Sequence, residues 1–196
     1  LGVGLMSANL KGNDRISLRI ECSGPIKGLF VEGNAFGEVR GYLNNVSIPL
    51  EKPMEDFDLA PFFGAGILSV TRSLQDAKRP FTGQVILKYG NIAKDLANYY
   101  LISEQIPTAF NLSIKFDKHG AVTGAGGLFL QAMPNSDDQM TADLEKRVAS
   151  LPSLGVVFSS ETDPQHIILK NFAHHSLRFL AQHRVEFMCH CNKTRL

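Results

Sequence analysis

Two cysteines with one histidine between them, Cys189 and Cys191 in RVEFMCHCNKTRL, are the residues of this sequence best suited to chemistry. A thiolate is both a favoured zinc ligand and the reactive form of a redox sulfur. A closed structural zinc site is tetrahedral, so the pair fills half a shell. The rest would come from His183 or His190, from a second chain, or from cysteines further along a longer chain. As a redox device, the pair stands beside Lys193 and Arg195, whose charges favour thiolate. Spacing alone leaves metal, redox and incidental-tail readings open.

The other candidates are weaker. His174 and His175 fall in a stretch with helical patterning, where adjacent positions point about 100° apart and cannot share one ion. Cys22 lies on the apolar side of RISLRIEC and reads as a core residue. The glycines of VTGAGGLFLQAMP lack the Lys-Ser/Thr of a phosphate loop and lead into a strand-like run, so they read as a tight turn or bulge within a sheet. No G-x-S-x-G elbow is present, and no Ser/His/Asp grouping can be read from scattered residues.

A chain of 196 residues carrying net charge +1, with 44% hydrophobic and 20% charged residues, offers no electrostatic footprint for nucleic acid or an anionic membrane. No apolar run reaches the roughly 18 residues of a spanning helix, and the opening LGVGLMSANLKGNDR lacks the charged start of a signal peptide. Three cysteines do not make a disulfide framework. The expectation is a protein of a reducing compartment. The first residue is not Met, and the apolar opening reads as the tail of a helix that began earlier.

The elements that must position these residues are strands first and helices later. RISLRIEC alternates with period two, and GLFVEG, GEVRGYL, GILSVTRSL, GQVILKYG, NLSIKFD and LFLQAM are short runs bounded by turn residues. FDKHGAV reads as a hairpin with Gly120 at positive φ. One internal helix is expected over NIAKDLANYYLISEQIP, capped by Asn91 and ended by Pro107. After Pro134 the pattern turns helical: Met140, Leu144, Val148 and Leu151 recur at helical spacing. Asp163 and Pro164 then open a further helix with Ile168, Phe172 and Phe179 on one stripe. The fold class is α+β, a mainly antiparallel sheet domain with packed helices followed by a helical linker segment.

Four stretches together resemble the redox-regulated holdase chaperones of the heat shock protein 33 family: GPIKGLFVEGNAFGEVRGYL, TRSLQDAKRPFTGQVILKYGNIAKDLANYYLISEQIPTAFNLSI, GAGGLFLQAMP and VEFMCHCNKTR. The resemblance covers nearly the whole chain. It implies a cytoplasmic, homodimeric chaperone that holds unfolded or partly unfolded client proteins without ATP, is inactive when reduced with zinc on four cysteines, and becomes active on oxidation. Cys189 and Cys191 match the first cysteine pair of that zinc site and redox switch. The matching C-x-x-C pair does not occur before Leu196, and most of the family's N-terminal segment is also missing. The chain is therefore expected to be truncated at both ends, with zinc absent or incomplete and with activity less dependent on oxidation.

The resemblance divides the chain into a client-binding core at 1–135, a helical linker at 136–184 and the stub of a zinc-binding switch domain at 185–196. No nucleic acid, no membrane and no catalytic residue is expected. The rival reading is a small thiol- or metal-dependent oxidoreductase, which requires turnover of a defined substrate and fails with Cys189→Ser.

Overall fold

The computed structural model describes residues 1–49, 58–160 and 163–189. Strand β1 (Arg15–Cys22) takes the alternation of RISLRIEC literally: Ile16, Leu18 and Ile20 are buried, and Arg15, Arg19 and Glu21 face solvent. It stands at the centre of the sheet, antiparallel to β2 (Gly28–Asn34) on one side and β4 (Gly66–Ser73) on the other. Strand β3 (Glu38–Leu43) extends the sheet beyond β2, and β5 (Phe81–Ile86) extends it beyond β4. A two-residue strand from the far end of the chain, β8 (Glu186–Phe187), lies parallel to β3 and gives the order β5-β4-β1-β2-β3-β8. The α+β expectation holds, and the parallel edge strand was not foreseen.

The apolar side of this sheet is covered by α1 (Gly2–Ser7) and α3 (Ile92–Tyr99). Val3, Met6, Leu96 and Tyr99 join Ile16, Leu18, Ile20, Leu68 and Val70 in one core, each burial contributing roughly 1.5–3 kcal/mol. The opening LGVGLM is thus part of the packed domain. Asn91 caps α3 by accepting from the Lys94 N–H at 3.1 Å, as its position implied. The helix widens into a π turn over Tyr100–Glu104, and Gln105 at φ 57° ends it before Pro107. Asp95, 1% exposed, holds the approach to the helix by accepting backbone N–H groups of Lys88, Tyr89 and Asn91 at 2.8, 3.0 and 3.0 Å. A short turn of helix, α2 (Ala60–Phe63), adds Phe63 to the core.

Strands β6 (Thr108–Phe116) and β7 (Val122–Gln131) form a separate hairpin. Gly120 at φ 81° makes the turn, and the Asp117 carboxylate accepts from the N–H groups of His119 and Ala121. One extra residue, Thr123, forms a bulge, because Phe116 pairs with Val122 and Lys115 with Gly124. Phe110 and Phe129 stack at 4.7 Å, and both lie within 6 Å of the Tyr100 ring, which ties the hairpin to the core.

Three helices follow: α4 (Asp138–Ser150), α5 (Leu154–Val157) and α6 (Pro164–Phe172). Asp137, Ser153 and Asp163 cap them, and Pro164 takes the first helical position as read from the sequence. Helical patterning was expected to persist to about Gln182, but α6 ends at Phe172. The apolar stripe is interrupted by His175 and Ser176, and short helices need continuous packing to persist. Ile167 and Phe172 carry the burial of α6, while Phe179 falls beyond it and is exposed.

Candidate functional site

The segment that delivers Cys189 reaches the sheet at the edge of β3. The Glu186 N–H donates to the Gly37 carbonyl at 3.0 Å and the Met188 N–H to the Val39 carbonyl at 3.2 Å. Gly37 is required here: its φ is 81°, and a Cβ on it would sit 2.1 Å from the Arg184 carbonyl oxygen. Gly4 of α1 allows Val185 to approach similarly, a Cβ there lying 3.2 Å from a Val185 methyl. Arg184 pairs with Glu186 at 2.9 Å, but Glu186 also lies directly opposite Glu38 across the ladder. A two-residue ladder with a like-charge neighbour makes a weak attachment.

Cys189 follows two residues after β8 and is exposed; Cys191 lies outside the described residues. An exposed thiol suits both zinc ligation and oxidation. Among the described residues, however, no group of three or more His, Cys, Asp or Glu is placed to hold a metal. A closed zinc shell is therefore not assembled by the described residues. Cys22 lies partly buried against the core at the end of β1, and burial raises its thiol pKa, which suits the packing role read from the sequence.

His174 and His175 stand in the turn after α6, not within it. The His175 Nε2 is 3.4 Å from the Asp143 Oδ2 of α4, close enough for an ion pair, yet it is buried without meeting hydrogen-bond geometry. The contact ties the turn to α4. Asp143 is held below the usual carboxylate range chiefly by its hydrogen bond from Arg147 at 3.0 Å, with His175 a smaller cause.

The helices between the hairpin and Cys189 rest on a glycine track. Gly124 lies so near α5 that a Cβ there would be 2.1 Å from the Gly155 carbonyl oxygen, and one on Gly126 would be 2.3 Å from the Phe158 ring. The Gly155 N–H donates to Ser113 Oγ at 2.7 Å, and Lys115 Nζ to Ser159 Oγ at 2.9 Å. The glycines read as a tight turn or bulge within a sheet all lie within β7, Gly124 directly after the bulged Thr123, and their smallness also seats a helix. The seat is incompletely filled: an apolar cavity of about 60 Å³ is lined by Gly127, Leu151, Leu154, Phe158, Ile167 and Phe172, among others. Unfilled apolar space forfeits packing energy. Beyond α6, the segment that runs through β8 exposes Leu177, Phe179, Leu180 (82%), Val185 and Phe187 (74%).

Comparison with known proteins decides the family. The whole chain, residues 1–196, matches the family model described as Hsp33 protein. It belongs to the Hsp33 family. Similar proteins include the 33 kDa chaperonins of Desulforamulus reducens, 38% identical over 98% of this chain, and of Geobacter sulfurreducens, 36% identical over 98%. The chain spans 65% and 64% of the length of those two relatives. The crystal structure of the Hsp33 homologue from Thermotoga maritima superposes with a TM-score of 0.85 at 33% identity, covering 99% of this chain and 66% of that one. Within this Hsp33 fold, sequence reading located the cysteines but missed the β3 edge that receives their segment. The only available signal was Gly37, between Phe36 and Glu38, in a place where a turn alone would have explained it.

Proposed function

We propose that this chain is an ATP-independent, redox-regulated holdase that binds unfolded or partly unfolded proteins and keeps them from aggregating. The observation that carries the reading is the segment 173–189: it exposes five large apolar side chains, is attached to the sheet by a two-residue ladder, and ends at a cysteine suited to redox chemistry. Family membership and relatives named 33 kDa chaperonin support the chaperone class. The part played is binding, not catalysis. Residues 1–135 act as the core, 136–184 as the linker, and 185–196 as part of a switch, in the cytoplasm. Homodimerisation rests on the resemblance alone.

Cys189 and Cys191 are the proposed switch residues and zinc ligands. Zinc, when bound, would hold the switch in a closed shape using four thiolates, two of them from this pair. Oxidation of two thiols by peroxide forms one S–S bond and breaks the O–O bond; two electrons and two protons pass to peroxide, which leaves as two waters. A sulfur consumed in this way can no longer ligate. The loss of order next to Met188 then weakens the β8 attachment and frees the apolar segment.

Light scattering tests the proposal. A chemically unfolded client is diluted into buffer with this protein pretreated with dithiothreitol and zinc or with peroxide. Suppression of scattering near stoichiometry, without nucleotide and greater after peroxide, is the expected result. Equal suppression would remove redox control and keep the holding activity. No protection at several-fold excess in either state would sink both.

A further inference from the structure

Strand β3 is longer than its partner at the sheet edge. Only Glu38 and Val39 pair with β8, although β3 continues to Leu43. The carbonyls of Gly37 and Val39 accept from β8, so by two-residue alternation the backbone groups of Gly41 and Leu43 face the same open side. The inward direction is already taken: Glu32 pairs with Arg40 and Phe30 with Tyr42 in the β2 ladder. Gly41, Tyr42 (55%) and Leu43 (44%) are exposed, and no strand pairs with this stretch among the described residues. Around it lie apolar and aromatic surfaces. Tyr42 stacks on Phe30 at 5.6 Å, Arg19 lies over the Phe30 ring, and Leu43 stands on the opposite face.

We infer that the edge of β3 from Gly41 to Leu43, which no strand covers among the described residues, is a docking site for an extended apolar stretch of an unfolded polypeptide, which adds to the sheet as a strand in continuation of, or in place of, β8. The occupant follows from what already sits there. An extended stretch of this same chain occupies the first part of the edge through main-chain hydrogen bonds, which carry little side-chain information. Such bonding suits a partner of no fixed sequence. Selectivity comes from neighbouring side chains: Leu43 on one face and Tyr42 on the other favour β-branched and aromatic residues in the incoming strand. Release of β8 lengthens the available edge from Gly41 back to Gly37. An edge left unpaired by the described residues is a liability in an ordinary protein and an asset in one that holds unfolded chains. The inference rests on the holdase reading and specifies its mode of binding.

The test uses a short fluorescein-labelled peptide alternating Val and Thr, with fluorescence anisotropy as readout. Met188→Pro removes the donor to Val39 and should tighten binding roughly threefold to tenfold, the effect of about one hydrogen bond. Leu43→Pro removes the outward N–H and should weaken binding by a similar factor relative to Leu43→Ala, which lacks the side chain but keeps the N–H. A peptide N-methylated at alternate residues should lose binding to the unmodified protein, a control that needs no folded variant. Equal binding of the methylated and unmethylated peptides, or of Leu43→Pro and Leu43→Ala, would overturn the edge proposal. The holdase reading would survive if client aggregation were still suppressed. If the variants instead alter self-association in sedimentation and leave peptide binding unchanged, the edge joins copies of this chain and the proposal falls.

Discussion

Gly124 of β7 and Gly155 of α5 approach so closely that a single added Cβ on Gly124 would lie 2.1 Å from the Gly155 carbonyl oxygen. The obstructing atom is backbone, so no rotamer change relieves it. The linker helices are seated on the hairpin by the absence of side chains, with an apolar cavity of about 60 Å³ beside the contact. A seat made in this way is easily spoiled without harming the sheet.

Gly124→Ala should therefore lift α5 from the hairpin at a cost of about 1–3 kcal/mol, as overpacking does elsewhere. Hydrogen exchange should accelerate at the amides of Gly155 and Phe158 and stay unchanged at Leu18 and Val70. Client holding by the reduced protein should increase. Uniform acceleration across β1 and β4 would mean that the linker and the core are one cooperative unit.

Glu186→Lys should strengthen the β8 attachment. It replaces the like charge opposite Glu38 with an opposite one, worth about 0.2–1 kcal/mol, and gives up only the exposed pair with Arg184. The amide of Met188 should exchange up to about fivefold more slowly. Faster exchange would show that the Arg184 pair holds the strand.

Asp95 receives three backbone N–H groups while nearly fully buried, so Asp95→Ala should cost about 3 kcal/mol by stranding those donors. Urea unfolding should show the loss as a lower midpoint with an unchanged slope. A loss below about 0.5 kcal/mol would mean that water replaces the carboxylate without penalty.

The Tyr99 hydroxyl donates to Glu104 at 2.5 Å, and Glu104 also pairs with Arg72 at 3.3 Å. Burial, and then the Glu104 carboxylate, raise the Tyr99 pKa well above its ordinary value. A raised folded-state pKa stabilises fully below the unfolded value, near 10, and the contribution is lost as pH climbs from there toward the folded value. Stability should thus decline above about pH 10, and Tyr99→Phe should flatten that part of the decline. An identical alkaline slope in both proteins would contradict this assignment.

The sheet, its hairpin and the long helices were legible because they depend on local chemistry: alternation in RISLRIEC, Asn91 and Asp163 as caps, Gly120 in a turn. What escaped depends on distant partners. The two residues of β8 carry no strand signal of their own and exist because Gly37 opens the β3 edge to them. The glycines of β7 read as a tight turn or bulge within a sheet, and a bulge stands at Thr123, but nothing local says that Leu154 and Phe158 will pack on them. Helical patterning after Phe172 overreached because a hydrophobic stripe was continued past the polar His175 and Ser176. Cys189 was identified by type and by resemblance, but its position at a sheet edge could not be read before the edge existed.

The proposed switch requires the segment from α4 to Cys189 to leave the core while the core stays folded. Hydrogen exchange measured in dithiothreitol and again after peroxide addresses it most directly. The expected result is exchange accelerated at least about tenfold, equivalent to roughly 1.4 kcal/mol, at Gly155, Phe158, Glu186 and Met188 after oxidation, with Leu18, Ile20 and Val70 unchanged. Unchanged exchange at all seven amides, or acceleration shared equally by core and segment, would contradict it.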